Sequence, residues 1–228
     1  MYYDFTYILV LIGAVICAIA SANVNRSFNK YSRYANERGW TAEACAAAIL
    51  QRAGICDVRV QRINGSLTDH YDPRDKVLRL SDSVYGSTSI AAIGVAAHEC
   101  GHAIQHDTGY APLKLRSASV PVANIGSKLS WPVILIGLLL GQAGLARIGV
   151  FLFCFVVAFQ LITLPVEFDA SHRALKILGD NSILSETELN GASKVLRAAA
   201  LTYVAALFSS ILQLLRLILI TQGNRRRD

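Results

Sequence analysis

Three long stretches with almost no charge constrain the fold of this 228-residue chain more than any other feature. Residues 5–22 have no charged side chain, residues 129–166 have only Arg147, and residues 198–220 have only Arg216. A helix needs about 20 apolar residues to cross the hydrocarbon of a membrane. The middle stretch would be about 57 Å long as a helix, which is enough for two crossings with a turn near residues 141–144. The sequence therefore predicts a mainly α, multi-pass membrane protein with four transmembrane helices.

The polar segments between these stretches give the predicted organisation. We expect a first transmembrane helix at 1–22, a soluble domain at 23–128, a transmembrane hairpin at 129–166, a second polar segment at 167–197, and a last transmembrane helix with a basic tail at 198–228. Residues 1–4 contain no Lys or Arg, which a cleaved signal peptide needs, so we expect the first helix to be retained.

The soluble domain combines helical and strand patterns. Residues 40–53 are rich in alanine and stop at Gly54, as a helix does. Residues 58–63 and 76–81 alternate apolar and polar side chains, which predicts two strands of a small, antiparallel sheet. A further helix is predicted at residues 89–106, with an N-cap among Ser87, Thr88 and Ser89.

This last helix carries the segment His98-Glu99-Cys100-Gly101-His102, an H-E-x-x-H motif. Positions i and i+4 share one helix face, so both imidazoles can reach one metal ion, and Glu99 projects about 100° away, where it can act on a water molecule. The motif predicts Zn2+ held by His98 and His102, hydrolysis of a peptide bond, and Glu99 as general base. One alternative is a helix with two surface histidines, and another is a non-enzymatic zinc-binding scaffold or adaptor, which would not need Glu99.

The third zinc ligand is not part of the motif. The metzincin pattern requires glycine at position 105 and histidine at position 108, where this chain has Gln105 and Thr108. A site-2-type intramembrane protease shares the H-E-x-G-H form but needs an aspartate in an L-D-G-like context, which the chain lacks. Glu167 follows two predicted crossings and so lies on the same membrane face as the motif. It could bind the metal, pair with Arg173, or remain solvated.

The chain resembles the YugP-type bacterial membrane zinc metallopeptidases over nearly its whole length. The resemblance rests on three segments, at residues 67–73, 94–105 and 164–168. It implies a zincin-like α+β domain on a membrane protein, akin in plan to the HtpX-type proteases. Those enzymes take their third ligand from an E-x-x-x-D pattern whose aspartate supports a ligand histidine. The matching positions here are Glu167 and Ser171, so the resemblance implies either that Ser171, Asp169 or another group orients His98, or that metal affinity is weaker.

Several further roles are expected on this basis. Side chains that could assist the developing oxyanion are His70, Tyr71, His172 and Arg173. The strand at residues 77–80 could pair with an extended protein or peptide substrate, or it could serve sheet structure alone. Cys100 falls on another helix face and is not expected to bind metal, and no C-x-x-C pattern indicates a zinc ribbon or redox site.

The charge distribution bears on partners and orientation. The net charge of +6 is not gathered in a basic stripe with interleaved aromatic residues, so no nucleic-acid partner is predicted, whereas basic flanks beside apolar spans fit a lipid bilayer. More basic residues flank the spans on the side of the motif than on the other side, despite the cluster Arg225, Arg226 and Arg227. The count predicts that the motif faces the cytoplasm. The sequence does not indicate an oligomeric state.

Overall fold

The computed structural model describes residues 5–223, with side chains described up to residue 221. Residues 1–4, on which the signal-peptide argument rests, and the basic cluster at residues 225–227 lie outside this range. The described elements are, in chain order, α1 (Tyr7–Tyr31), α2 (Ala42–Arg52), β1 (Arg59–Ile63), β2 (His70–Asp72), β3 (Val77–Ser81), α3 (Ile90–Asp107), α4 (Ala111–Leu139), α5 (Ala143–Asp180) and α6 (Glu186–Gly223).

Four of these helices are long and apolar enough to cross a membrane: α1, α4, α5 and α6. The mainly helical fold class with four such helices and a small sheet is confirmed. The turn between α4 and α5 falls at residues 140–142, where Gly141 adopts a positive φ of 67°. The helices extend beyond the apolar stretches, because α4 starts at Ala111 and α5 continues without a break through Glu167 to Asp180.

The sheet differs from the prediction in its pairing. Its order is β1-β3-β2, and β1 runs parallel to β3, with Val60 opposite Leu78. The expectation that these two strands form an antiparallel sheet was wrong. The segment between them does not make a tight hairpin, because it contains β2, which was not predicted and which pairs antiparallel with β3. The chain reverses direction once before β2 and again before β3, so β3 runs in the same direction as β1.

The position of β3 also corrects a functional expectation. β3 has a strand on each side, and four of its five residues are buried. Its backbone groups are therefore used by β1 and β2, and it cannot pair with an extended substrate as proposed for residues 77–80. The edges of this sheet are β1 and β2.

The described residues separate into two compact units. One consists of described residues of Met1–Ser21, Leu115–Leu164 and Leu201–Asp228, and its apolar cluster includes Ile134, Val150, Phe153 and Leu217. The other consists of Ala22–Lys114 and Pro165–Ala200. Its core is formed by α2, α3, the sheet, and the parts of α5 and α6 that belong to this unit, with Ile49, Leu78, Ile93 and Leu178 almost fully buried. All the site residues discussed below belong to this second unit.

Candidate metal centre

α3 is the central helix of the site. Ser89 caps its first turn, since the Ser89 hydroxyl accepts a hydrogen bond from the backbone N–H of Ala92 at 3.2 Å. Eight of its 18 residues are Ala, Gly or Cys, and Ala91, Ala92, Ala96, Ala97 and Cys100 are fully buried. A helix with so many alanines lets neighbouring helices approach its axis closely. The histidines thus project from a rigid, buried element.

Gly101 marks the closest approach of α3 to α5. A Cβ atom added at Gly101 would lie 2.5 Å from the backbone oxygen of Ala170. Ala170 lies three residues after Glu167 and one before Ser171, so this contact brings both of those side chains to the histidines. The glycine is required here by the space between two backbones, because its φ is not positive.

Three side chains converge where α3 meets α5. The possible ligand atoms of His98, His102 and Glu167 all lie within 4.8 Å of one another. The Nε2 atoms of His98 and His102 are 3.4 Å and 3.7 Å from Glu167 Oε2. The Glu167 side chain is only 3% exposed, so its charge is held away from bulk water beside two imidazoles. Among the described residues, this is the group of three or more His, Cys, Asp or Glu side chains that could hold a metal ion.

The opposite ring nitrogens of the two histidines have different partners. His98 Nδ1 lies 3.1 Å from the hydroxyl of Ser171, and His102 Nδ1 lies 3.0 Å from the side-chain oxygen of Gln105. A histidine that binds metal through Nε2 carries its hydrogen on Nδ1, and that hydrogen needs an acceptor. Both acceptors are in place. The group beside His98 is therefore Ser171, whereas Asp169 contacts Gln105 instead.

Glu99 is oriented by the sheet. Its Oε2 atom accepts a hydrogen bond from the backbone N–H of Tyr71 at 3.0 Å, and the residue is 8% exposed. This bond places the outer edge of β2 beside the carboxylate that follows His98. The arrangement combines a metal-type cluster with a fixed, buried carboxylate and a strand edge.

The remaining predicted assistants point elsewhere. His70 contacts the Thr68 carbonyl through Nδ1 and Arg79 through Nε2, and the Tyr71 hydroxyl lies 2.9 Å from His106 Nδ1. His172 is exposed. Arg173 pairs with Asp169, with Nε 2.6 Å from Oδ2. None of these contacts turns a donor toward the three clustered side chains.

The electrostatics of the cluster favour a cation. Burial alone would lower the pKa of His102, but the hydrogen bond with Glu167 and the negative charges of Glu99 and Glu167 outweigh it and raise that pKa. Burial raises the pKa of the Cys100 thiol well above its usual range, and the thiol donates to the Ala46 carbonyl. Cys100 thus faces α2 as a neutral thiol.

Two residues of the site escaped sequence reasoning. Gln105 was considered only as the residue that breaks the metzincin pattern, and Asp169 only as a replacement support for His98. The available signal was helical spacing, since Gln105 follows His102 by three residues and so lies on the same face of α3.

Comparison with known proteins gives the family. Residues 6–222 match the family described as "Putative neutral zinc metallopeptidase". The chain belongs to this family. It is also similar to the "Putative membrane protease YugP" of Bacillus subtilis (strain 168), with 47% identity over 206 residues, which are 90% of this chain and 92% of the relative. No solved structure matches the chain. The family and the four apolar helices support a zinc metallopeptidase located in a membrane, as expected from the resemblance.

Proposed function

We propose that this chain is a zinc-dependent peptidase of the gluzincin type, with His98, His102 and Glu167 as the metal ligands and Glu99 as the general base. The observation that carries the proposal is that one possible ligand atom each of His98, His102 and Glu167 lies within 4.8 Å of the others, with both Nε2 atoms within 3.7 Å of Glu167 Oε2. Two imidazoles and one carboxylate form a ligand set found in catalytic zinc sites, which keep a fourth position for water or substrate. The chemistry of the donor atoms therefore fits Zn2+.

The surroundings of the cluster add to this fit. The Gln105 side-chain oxygen accepts a hydrogen bond from His102 Nδ1, and the Ser171 hydroxyl lies where it can accept one from His98 Nδ1, which would leave both Nε2 lone pairs for a metal. Bound there, zinc would supply a Lewis acid that polarises the scissile carbonyl and brings the pKa of a water molecule toward about 7.

The protein's own groups would carry the proton. Glu99 takes a proton from the attacking water and delivers it to the amine that leaves. The Tyr71 N–H holds the Glu99 carboxylate in one orientation, so the base does not have to search for its position. An extended protein or peptide segment could lie along the outer edge of β2, which lies beside Glu99, without using the Tyr71 N–H, and a peptidase that binds the middle of a chain in this way is an endopeptidase.

The competing function is a non-enzymatic zinc-binding scaffold in the membrane. Such a protein would need the three ligands but would have no use for a buried carboxylate one residue from His98. The variant Glu99→Gln separates the two. It should retain zinc and lose peptide hydrolysis in purified protein, with Glu186→Gln, at an exposed position of the same unit, as control. Undiminished cleavage by Glu99→Gln would remove Glu99 from the mechanism.

The ligand assignment has its own test. Glu167→Ala should lower the zinc content measured by elemental analysis of purified protein, because the site would keep only two protein ligands. Glu186→Ala, at the exposed start of α6, is the control. An unchanged zinc content would exclude Glu167 as a ligand.

We also propose that the site faces the cytoplasm, from the larger number of basic residues flanking the spans on its side. With four crossings, both termini then face outward. A reporter fused after Asp228 that is active only outside the cytoplasm should be active, and activity of a cytoplasmic reporter there would reverse the orientation. By analogy with HtpX-type proteases, unfolded membrane proteins are the substrate class to try first.

A further inference from the structure

The Gln105 side chain is fully buried, and three partners surround it. Its Oε1 atom lies 3.0 Å from His102 Nδ1. Its Nε2 atom donates to the Val166 carbonyl and to Asp169 Oδ2, both at 2.8 Å. Each polar atom of the amide therefore has a specific partner at hydrogen-bonding distance, and the amide joins α3 to α5.

These partners permit only one orientation of the amide. A backbone carbonyl and a carboxylate paired with arginine can only accept hydrogen bonds, so the amide nitrogen must face them. The amide oxygen then faces His102, and an oxygen can only accept from Nδ1. His102 is thereby held with its hydrogen on Nδ1 and its Nε2 lone pair directed at Glu167 and His98.

Asp169 is itself held in place. Its Oδ2 atom accepts from Arg173 Nε at 2.6 Å, one helical turn along α5. The guanidinium of Arg173 lies over the ring of Tyr110, 5.4 Å from the ring centre, beside the end of α3. The chain of contacts thus runs from His102 through Gln105 and Asp169 to Arg173, and it returns to the segment that follows α3.

The support of His98 is different in kind. Its Nδ1 contacts the Ser171 hydroxyl, which can either donate or accept, so this contact does not by itself select one form of the ring. The hydrogen-bond network through Gln105 therefore imposes the tautomer of His102, whereas the tautomer of His98 depends on a hydroxyl that can rotate.

We propose that Gln105, Asp169 and Arg173 are positioning residues that impose the metal-binding form of His102 and strengthen its bond to zinc. The inference rests on the proposed function for the identity of the metal. It goes further because the negative charge that supports His102 belongs to Asp169, which is linked to the imidazole ring through two hydrogen bonds and does not contact the ring directly. Supporting partners of this kind typically change metal affinity by about 10–100-fold.

The test compares Gln105→Leu with Asp169→Asn in the full-length, detergent-solubilised protein. Leucine has a similar volume but accepts no hydrogen bond, so zinc affinity measured by competition with a chelating dye should fall about 10–100-fold. Asparagine keeps an oxygen that Gln105 and Arg173 can both donate to and loses only the charge, so its effect should be smaller. Gln61→Leu and Asp75→Asn are matched controls, because Gln61 is exposed in β1 and Asp75 pairs with Arg79 with the same spacing of four residues.

A second measurement separates positioning from stability. With cobalt in place of zinc, the visible absorption bands of Gln105→Leu should shift relative to the wild type, while those of both controls should not. Unchanged zinc affinity and unchanged cobalt bands in Gln105→Leu, with only a lower melting temperature, would show a purely structural bridge and overturn the inference. A wild-type protein that binds no zinc would overturn the proposed function as well. A wild type that binds zinc without cleaving peptides would contradict only the peptidase proposal.

Discussion

Gly101→Ala is the substitution whose effect the structure defines most closely. The added Cβ would lie 2.5 Å from the Ala170 carbonyl oxygen, and an ordinary contact begins at 3.4 Å, so α3 and α5 must separate locally by about 0.9 Å. A backbone oxygen cannot rotate away as a side chain can. Overpacking of this kind costs about 1–3 kcal/mol, and the better helix propensity of alanine offsets about 1 kcal/mol. We therefore expect the free energy of unfolding to fall by about 1 kcal/mol.

The same displacement should affect the site more than the fold. Glu167, three residues before Ala170, and Ser171, directly after it, would move away from His98 with α5. An error of about 1 Å in a catalytic arrangement can cost about 100-fold in rate. Peptide hydrolysis and denaturant unfolding in detergent micelles measure the two effects. Gly144→Ala is the control, because nothing lies within 4 Å of its added Cβ. A Gly101→Ala protein with wild-type hydrolysis and stability would refute the reasoning about the helix contact.

Three other predictions follow from particular contacts. Ser171→Ala removes the hydroxyl beside His98 Nδ1 and should weaken zinc binding in dye competition by about 10-fold, whereas Ser171→Asp should bind zinc at least as tightly as the wild type. Equal zinc affinities of Ser171→Ala and the wild type would show that the hydroxyl is dispensable. Glu188→Ala removes the acceptor for the N–H groups of Glu37 and Ser185 and should lower the free energy of unfolding by about 2 kcal/mol without changing zinc affinity, so a change in affinity alone would contradict its structural role. A polar maleimide at pH 7 should label exposed Cys56 but not Cys45 or Cys100 in folded protein, because burial raises the pKa of Cys45 to about 12 and that of Cys100 well above its usual range. If mass spectrometry finds Cys100 labelled as fast as Cys56, the packing of α3 on α2 is contradicted.

Local periodicity explains what could be predicted. The spacing of His98 and His102 defines a shared helix face whatever surrounds the helix, and three apolar stretches, the middle one long enough for two crossings, predict four membrane helices by length alone. Ser89 as the cap of α3 was predictable for the same reason, because a cap depends on the first turn of one helix. The grouping of Glu167 with the histidines needed one further argument, which was the even number of crossings between them.

The failures concern pairings between distant segments. The patterns at residues 58–63 and 76–81 give each strand its own alternation but contain nothing about direction, so the parallel pairing of β1 with β3 was not predictable from them. β2 has only three residues, too few for alternation to be visible. The link from Gln105 to Asp169 joins residues 64 apart in sequence, and neither residue type alone indicates a support for a ligand.

The two positions that H-E-x-x-H leaves undefined tolerate little change of side-chain size in this protein. At one of them the Cys100 thiol is fully buried and meets a carbonyl of α2, and at the other Gly101 meets a carbonyl of α5. His98, Glu99 and His102 supply the reactive side chains, whereas the small residues Cys100 and Gly101 allow α2 and α5 to pack closely against α3. A graft of this motif onto another helix would therefore reproduce the reactive side chains without their neighbours, unless a thiol-sized residue and a glycine were grafted with them.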